Sequence, residues 1–227
     1  MNRISKPAEK NERTRILITD CEGPYNKGDL AILLSMVHSL KKMNAEYIVL
    51  SHDSSALTRY FHENPKKLPA LKVYPMPINT FRSTRSRVIW RARAMAVLVW
   101  ALLRKNGLNL RIEFFAKNFE TIEVINQYRT ADVIISCGGE YFRDSMNILL
   151  NVFQFFKTLY GLLLAKFLEK PVILYAQSLG PFYSISFKTL VRFVLDKVDL
   201  IVLRDSRSKE NLEKIGVRKP RLSLIHI

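Results

Sequence analysis

TRILITDCEGPYNKGDLAILLSMVHSLKK, residues 14–42, is the stretch of sequence that decides the fold. It opens with TRILIT, a short apolar run typical of a strand, and the polar, glycine-bearing segment DCEGPYNKGD follows as a loop. Leucine and valine then recur at helical spacing, at Leu30, Leu33, Leu34, Val37 and Leu40. This spacing predicts an amphipathic helix over residues 29–42. The stretch therefore predicts a strand, a loop and a helix in succession.

The same alternation continues along the chain. Short apolar runs predict further strands at residues 47–50, 71–74, 133–136, 172–175 and 200–203. Helices are predicted at residues 54–61, 119–128, 145–168, 187–195 and 206–215, with one or two basic amphipathic helices inside 81–111. Continuously apolar strands are typical of sheets that are covered on both faces. We therefore expect an α/β fold with a doubly wound parallel sheet and right-handed crossovers.

The composition indicates one large globular domain. Of the 227 residues, 48% are hydrophobic and 25% charged, as in proteins with a real core. Residues 1–13 are polar and lack an apolar face, so we expect a disordered basic N-terminus, followed by the domain at 14–217. Residues 218–227 are then the truncated start of a further element. Their end, LSLIHI (222–227), matches the translation of a sequencing adapter, and we expect it to be a scar.

The cysteines and the apolar runs indicate the compartment. The N-terminus lacks the apolar segment of a secretory signal, and the apolar runs are too short or too interrupted by polar residues to span a bilayer. Cys21 and Cys137 are not part of a CxxC pair, and the four histidines are scattered, so no metal site is predicted. Two cysteines in a chain of this length favour a reducing compartment. We therefore expect a cytoplasmic protein.

A formal net charge of +16 predicts an anionic partner, which is a nucleic acid, an anionic lipid or a phosphorylated small molecule. The sequence carries no helix-turn-helix, zinc or RNA-recognition signature, which argues against a nucleic acid. The segment 81–111 has eight lysine or arginine residues and no aspartate or glutamate. Two interpretations of it stay open. It rests on the anionic inner face of a membrane, or it is a solvated basic face above a stripe of core residues.

Four loops at predicted strand ends carry the candidate binding residues, because open parallel sheets bind ligands beyond the carboxyl ends of their strands. These residues are Asn26, Gly28 and Asp29 in the first loop, Gly138 and Gly139 in the second, Gln177 and Gly180 in the third, and Arg204 in the fourth. Glycines permit tight turns and close approach to a ligand. Asp29 is expected to cap a helix whose first N–H groups suit an anion. The guanidinium of Arg204 suits a phosphate or a carboxylate.

Each of these loops also has a purely structural interpretation. The first three are explained by ordinary turns and helix caps, and Arg204 by a surface ion pair with Asp205. The residues alone therefore predict an α/β protein that binds a small anionic ligand, and no more.

Four pieces of the sequence together resemble the polysaccharide pyruvyl transferase family. In chain order they are GPYNKGDLAIL (23–33), DVIISCGGEYFRD (132–144), KPVILYAQSLGPF (170–182) and VDLIVLRDSRSKENLEKIGV (198–217). Each piece alone is a weak signal, and their order and spacing make the resemblance specific. Residues 78–111 contain no matching piece. The sequence departs from the family at Glu140, where a small residue or glycine is common.

The resemblance implies a two-domain fold similar to the glycosyltransferase-B architecture, of which this chain supplies the Rossmann-like first half. It implies an enzyme that transfers a pyruvyl group from phosphoenolpyruvate to a hydroxyl pair of a sugar or lipid-linked glycan, as a ketal. Phosphoenolpyruvate is the donor substrate, and no cofactor or metal is implied. By its place in the RDxxS piece, Arg204 is expected to grip the donor and to act in catalysis.

The other matching residues are implied to line the cleft, on the acceptor side or as structural turns. The family's further donor-binding residues, including a histidine expected to act as the acid, belong to the second half. The fragment alone is therefore expected to be inactive. Three alternatives stay open: a nucleotide-sugar glycosyltransferase of similar fold, a non-enzymatic protein that binds nucleic acid or another anion, and a family member that has lost catalysis and binds glycans.

Overall fold

The computed structural model describes residues 13–65, 71–81, 87–116, 118–138, 155–218 and 220–222. Within these residues, seven strands form one sheet in which every neighbouring pair is parallel. The strands are β1 (Thr14–Cys21), β2 (Ala45–Ser51), β3 (Lys72–Pro75), β4 (Val133–Cys137), β5 (Val172–Gln177), β6 (Leu200–Leu203) and β7 (Pro220–Leu222).

The order of the strands in the sheet is β3-β2-β1-β4-β5-β6-β7. The chain runs outward from β1 to β3, returns to β4 on the other side of β1, and then continues outward to β7. This order extends that of a Rossmann fold, and the reversal between β1 and β4 marks the crevice where such sheets bind ligands. The prediction of an α/β fold with a parallel sheet is confirmed.

Helices cover both faces of the sheet. They are α1 (Lys27–Leu40), α2 (Ser54–Glu63), α3 (Pro77–Phe81), α4 (Arg87–Lys105), α5 (Phe119–Thr130), α6 (Tyr160–Phe167), α7 (Ile185–Leu195) and α8 (Ser206–Lys214). Alternate residues of β1 enter two apolar clusters. Ile16 and Ile18 pack in one cluster with α1 and α2, while Leu17 packs in the other with α4 and the helices after it. Because both faces are buried, successive strand residues are apolar, which is the pattern that predicted the strands.

The helix after the first loop begins at Lys27, two residues earlier than predicted. Its N-cap is Asn26, whose side-chain oxygen accepts the N–H of Asp29 at 3.3 Å. The Asn26 amide in turn donates to the carboxylate of Asp29 at 2.7 Å. Such a reciprocal pair is a variant of the capping box. The expectation that Asp29 itself caps the helix is therefore wrong, because Asp29 is the third residue of α1.

The helix predicted at 145–168 is described only in its second half. Phe155–Leu159 forms a turn of π-helix that leads into α6, and residues 139–154 lie outside the described residues. Within the basic segment 81–111, residues 87–105 form α4, and residues 82–86 lie outside the described residues. The short helix α3 ends at Phe81, where this segment begins. In the part of the chain that the structure describes, no helix is long and apolar enough to cross a membrane.

Gly161 of α6 lies against the hydroxyl group of Tyr128 of α5. A Cβ atom at position 161 would be 2.9 Å from Tyr128 Oη. Tyr128 is fully buried, and its Oη has no hydrogen-bond partner among the described residues. Burial raises the pKa of this phenol well above its ordinary value, so it stays neutral at physiological pH.

Gly161→Ala is expected to destabilise the protein by about 1–3 kcal/mol, because overpacking against Tyr128 outweighs the gain from replacing a helical glycine. In a Tyr128→Phe background the same substitution is expected to be stabilising, since the hydroxyl that the new methyl group meets is gone. Urea unfolding of the four proteins gives the double-mutant cycle. An equal cost of Gly161→Ala in both backgrounds would contradict the contact.

Candidate functional site

The four predicted loops begin at one edge of the sheet. The strands that precede them, β1, β4, β5 and β6, are neighbours and parallel, so their carboxyl ends meet at the same edge. With about 4.8 Å between neighbouring strands, the first and fourth loops begin about 14 Å apart. A three-carbon ligand covers only part of that distance. We therefore expect the two ends of this edge to bind two different ligands, or two different groups of one large ligand.

The first loop fastens the start of α1 and leaves an open surface beside it. Gly23 has a φ of 142°, and a Cβ there would lie 3.3 Å from the Cβ of Asp53, so this turn suits glycine. Asn26 and Gly28 are exposed, whereas Asp29 is buried. A Cβ at Gly28 would meet only Asn26 Oδ1 at an ordinary 3.5 Å. Packing therefore does not require glycine at position 28.

Of the glycine pair in the second loop, the structure describes Gly138 alone. Gly138 follows β4 directly and has a φ of 151°, a backbone conformation that other residues rarely adopt. Gly139 and residues 140–144 lie outside the described residues, so the role predicted for Gly139 stays a prediction.

A buried polar cluster occupies the carboxyl ends of β1, β4 and β5. It consists of Asp20, Ser136 and Gln177, with side chains 0–3% exposed. Ser136 Oγ donates to Asp20 Oδ2 at 2.6 Å, and Gln177 Nε2 donates to Ser136 Oγ at 2.7 Å. Thr19 Oγ1 donates to the same Asp20 oxygen at 2.7 Å. The amide of Gln177, predicted to face a ligand, thus contacts the neighbouring strand beneath the loops.

The backbone is irregular where this cluster forms. Asp20 has a φ of 66°, within the shift of register of β1 against β2, and Ala176 has a φ of 59°, within the shift of β5 against β6. Left-handed backbone at a non-glycine residue costs about 1 kcal/mol or more, and such strain concentrates at functional sites. Sequence reasoning missed Asp20 and Ser136. Their signal was a polar side chain near the end of an apolar run.

The two cysteines form a buried thiol pair next to the cluster. Cys21 and Cys137 are both free and buried, at the ends of β1 and β4. A hydrogen bond with Cys137, together with burial, raises the pKa of the Cys21 thiol well above its ordinary value. Since the thiolate is the nucleophilic form, this shift disfavours Cys21 as a nucleophile.

Asp205 ties the third and fourth loops together. As N-cap of α8 it accepts the N–H of Ser208 at 2.7 Å, and its other oxygen accepts the hydroxyl of Ser178 at 2.7 Å. Ser208 Oγ donates to Asp205 at 2.9 Å and accepts the N–H of Leu179 at 2.8 Å. Partial burial acts to raise the pKa of Asp205, but these hydrogen bonds and the nearby charge of Arg204 outweigh it and lower the pKa. The ionised carboxylate of Asp205 thus joins the third loop to the start of α8.

An open pocket of about 570 Å³ lies between these two loops. Its polar and aromatic lining comes from the third loop, the fourth loop and the first turns of α8, and includes Ser178, Gly180, Tyr183, Ser206, Arg207 and Asn211. The N–H groups at the start of a helix and a guanidinium both favour an anion. Arg204 is exposed and follows β6 directly, beside the pocket rather than in its lining. Sequence reasoning did not select Arg207, although it lies in the same motif.

Gly180→Ala is expected to destabilise the protein by about 2–4 kcal/mol, through left-handed backbone strain and overpacking together. Gly180 has a φ of 80°, and a Cβ there would lie 2.8 Å from Nδ2 and 3.0 Å from Cβ of Asn211. The same Asn211 amide donates to the carbonyl oxygen of Leu179. Gly107→Ala is the matched control, because Gly107 has a φ of 91° but nothing within 4 Å of the new Cβ.

Urea unfolding of the two alanine variants separates these contributions. We expect Gly107→Ala to lose about 1 kcal/mol, from the backbone conformation alone. Equal losses in the two variants would show that Asn211 does not restrict position 180.

A sequence model of the polysaccharide pyruvyl transferase family matches residues 26–224 of the chain. The chain belongs to the polysaccharide pyruvyl transferase family. The match spans all the predicted site residues of this pyruvyl transferase family member, from Asn26 to Arg204. The family assignment made from four short sequence pieces is confirmed.

A curated relative of this family member is the amylovoran biosynthesis protein AmsJ of Erwinia amylovora. The two are 28% identical over 211 residues, which are 89% of this chain and 45% of AmsJ. The chain therefore spans about half the length of that relative. Among solved structures, a short-chain dehydrogenase from Streptomyces avermitilis matches with a TM-score of 0.43 and 11% identity, over 87% of this chain and 65% of that one. A likeness this distant carries no functional argument.

Proposed function

We propose that this protein transfers a pyruvyl group from phosphoenolpyruvate to two neighbouring hydroxyl groups of a sugar, forming a ketal in a polysaccharide or its lipid-linked precursor. The family membership supports pyruvyl transfer, and the name of AmsJ supports a polysaccharide product. The observation that carries the proposal is the pocket between the third and fourth loops. There Ser206, Arg207 and the N-terminus of α8 meet, next to Arg204.

The charge of the donor suits this pocket. Phosphoenolpyruvate carries a phosphate and a carboxylate, so its two ends require two groups of cationic or N–H donors. Arg204 and Arg207 lie three residues apart, on either side of the start of α8. Asp205 also lines the pocket, and its two oxygens accept hydrogen bonds from Ser178 and Ser208, which offset part of the negative charge of this carboxylate. The net charge of +16 also favours the approach of an anion.

We place the sugar acceptor at the other end of the same edge, beside the first loop. Since the first loop begins about 14 Å from the fourth, we place a second substrate there rather than the same three-carbon donor. Tyr25 in the first loop is 80% exposed. Exposed aromatic faces of this kind pack against the C–H faces of sugar rings. We therefore assign the acceptor to the first and second loops, and the donor to the third and fourth.

The proposed reaction needs no oxidant or reductant, and inorganic phosphate is its only leaving group. A proton added to the methylene carbon of phosphoenolpyruvate turns it into a methyl group and makes C2 electrophilic. One sugar hydroxyl adds to C2, the bond between C2 and the phosphate oxygen breaks, and the neighbouring hydroxyl adds to C2. Both hydroxyl protons leave, and inorganic phosphate is released. Positioning and charge stabilisation supply much of the rate, and a general acid must donate the methyl proton.

We further propose that the acid belongs to a second Rossmann-like half, arranged as in glycosyltransferase-B enzymes. The chain spans 45% of AmsJ, so a relative has room for such a half. The second half would close over the carboxyl edge of the sheet, where all four loops lie. No cofactor takes part in this scheme.

The test uses the full-length protein with ¹³C-labelled phosphoenolpyruvate and oligosaccharide acceptors. We expect a new quaternary ketal carbon in the NMR spectrum and one phosphate released per ketal formed. Thermal stabilisation by phosphoenolpyruvate and by nucleotide sugars is measured in parallel. Transfer from, or stabilisation by, a nucleotide sugar, with no response to phosphoenolpyruvate, would reject pyruvyl transfer in favour of glycosyl transfer.

A further inference from the structure

The outward face of α4 is apolar, although the face of a surface helix that meets water is normally polar. Ala92, Met95, Val99 and Leu102 follow one another at intervals of three or four residues and are exposed; we call them the α4 stripe. Met95, Val99 and Leu102 are 43%, 47% and 41% exposed. The opposite face is also apolar and is buried in the core, with Ala94, Val97, Leu98 and Ala101. A helix that is apolar on both sides is expected to be covered on both sides.

The apolar surface continues past the end of α4. Leu108 and Leu110 are 50% and 39% exposed. The indole N–H of Trp100 donates to the carbonyl oxygen of Leu110 at 2.9 Å, which holds this segment back against the helix. The uncovered surface therefore belongs to a fixed element of the fold.

Positive charge is concentrated in the segment of the chain that carries this surface. The segment 81–111 carries the basic residues Arg82, Arg85, Arg87, Arg91, Arg93, Arg104, Lys105 and Arg111, and neither aspartate nor glutamate. They precede the α4 stripe, flank its start and follow its end. An exposed apolar surface within a cationic segment suits the surface of an anionic bilayer, which is apolar inside and negatively charged at its headgroups.

We propose that the α4 stripe rests on the surface of an anionic lipid bilayer, with α4 in the plane of the interface. The apolar side chains enter the boundary between headgroups and acyl chains, and the flanking arginine and lysine side chains reach the phosphates. A symmetric contact between two copies of α4 would bring two segments of eight positive charges together, which disfavours a dimer through this face. The contact that we propose is peripheral, because α4 lies in the plane of the interface and does not cross it.

The length and apolar area of the α4 stripe limit its affinity for a bilayer. From Ala92 to Leu102 it is about 15 Å long, at 1.5 Å for each helical residue. Four modest side chains bury too little apolar area for firm anchoring, so attraction to anionic headgroups must supply much of the affinity. Binding is therefore expected to fall as salt is added. This inference is independent of pyruvyl transfer, because it requires neither donor nor acceptor.

The test is sedimentation of the full-length protein with vesicles of phosphatidylglycerol and phosphatidylcholine, or of phosphatidylcholine alone, over a salt series. Met95→Gln/Val99→Gln removes the centre of the stripe. Met43→Gln/Phe193→Gln is the matched control, because Met43 and Phe193 are 49% and 51% exposed and lie on other elements. Thermal unfolding of both variants verifies that they are folded. Light scattering of all three proteins without vesicles reports the oligomeric state.

We expect salt-sensitive binding to the anionic vesicles, reduced about tenfold by Met95→Gln/Val99→Gln and unchanged by the control variant. Equal binding to neutral vesicles, or equal binding by the α4 variant, would overturn the proposal. It would also be overturned by a protein that binds no vesicle but forms an oligomer that Met95→Gln/Val99→Gln dissociates, since the stripe would then cover a second copy of the chain.

Discussion

Asp20→Ala is expected to destabilise the protein by about 3 kcal/mol. Asp20 is 3% exposed, and its carboxylate accepts the hydroxyl groups of Ser136 at 2.6 Å and Thr19 at 2.7 Å. Alanine removes this acceptor from two buried donors. It also has to adopt the φ of 66° found at position 20, where aspartate is better tolerated than alanine.

Two variants separate these causes. Asp20→Asn keeps the shape, the tolerance for left-handed backbone and one acceptor oxygen, so we expect a loss of about 1 kcal/mol. Glu169→Ala is a control for the backbone, because Glu169 has a φ of 60° and is exposed. The free energy of unfolding in urea is the measurement. If Asp20→Ala costs no more than Glu169→Ala, the buried hydrogen bonds contribute nothing and the cluster is not a structural support for the loops.

The strands and their order along the chain were predictable because a sheet buried on both faces forces apolar residues at successive positions. The run at 200–203 coincides with β6, and the runs at 47–50 and 172–175 lie inside longer strands. Strand ends were less predictable. The ends of β1 and β5 contain the polar residues Asp20 and Gln177. They belong to the strands because Cys21 pairs with Ser51 and Gln177 pairs with Leu203, which are distant in sequence.

The buried polar cluster shows why part of the site could not be predicted. Ser136 and Asp20 are 116 residues apart in the chain, and they meet only because β4 pairs with β1 in one register, with Thr19 opposite Ser136. Apolar runs indicate that two strands exist, but they do not indicate which residues lie opposite each other. The four loops were predictable, because parallel strands bring all their carboxyl ends to one edge wherever the strands stand in the sheet.

The exposed face of α4 is more apolar than one of the two sequence interpretations predicts. A solvated basic face was one expectation for the segment 81–111. In the structure the centre of the exposed face carries Met95, Val99 and Leu102. Counting apolar residues at helical spacing does not distinguish the buried side of a helix from an exposed apolar side. That distinction requires knowing which side packs against the sheet and its neighbouring helices.

Arg204→Gln is expected to lower kcat/KM for phosphoenolpyruvate about 100-fold, which corresponds to about 2.7 kcal/mol of lost transition-state stabilisation. The physical reason is the loss of the guanidinium that we propose binds a phosphate or carboxylate of the donor, in a geometry that glutamine cannot reproduce. Arg204→Lys keeps the charge but not the paired hydrogen bonds, so we expect an intermediate loss. Arg192→Gln is the control, because Arg192 lies on α7 and pairs at 3.6 Å with Asp196 at the surface.

Arg207→Gln decides which guanidinium holds the donor, since Arg207 lines the pocket while Arg204 stands beside it. If both arginines bind one doubly anionic molecule, each single variant loses activity, and the double variant departs from the product of the two losses because both act on the same ligand. Normal activity in Arg204→Gln, together with a large loss in Arg207→Gln, would contradict the role assigned to Arg204. The donor would then lie wholly in the pocket, against Arg207 and the first turn of α8.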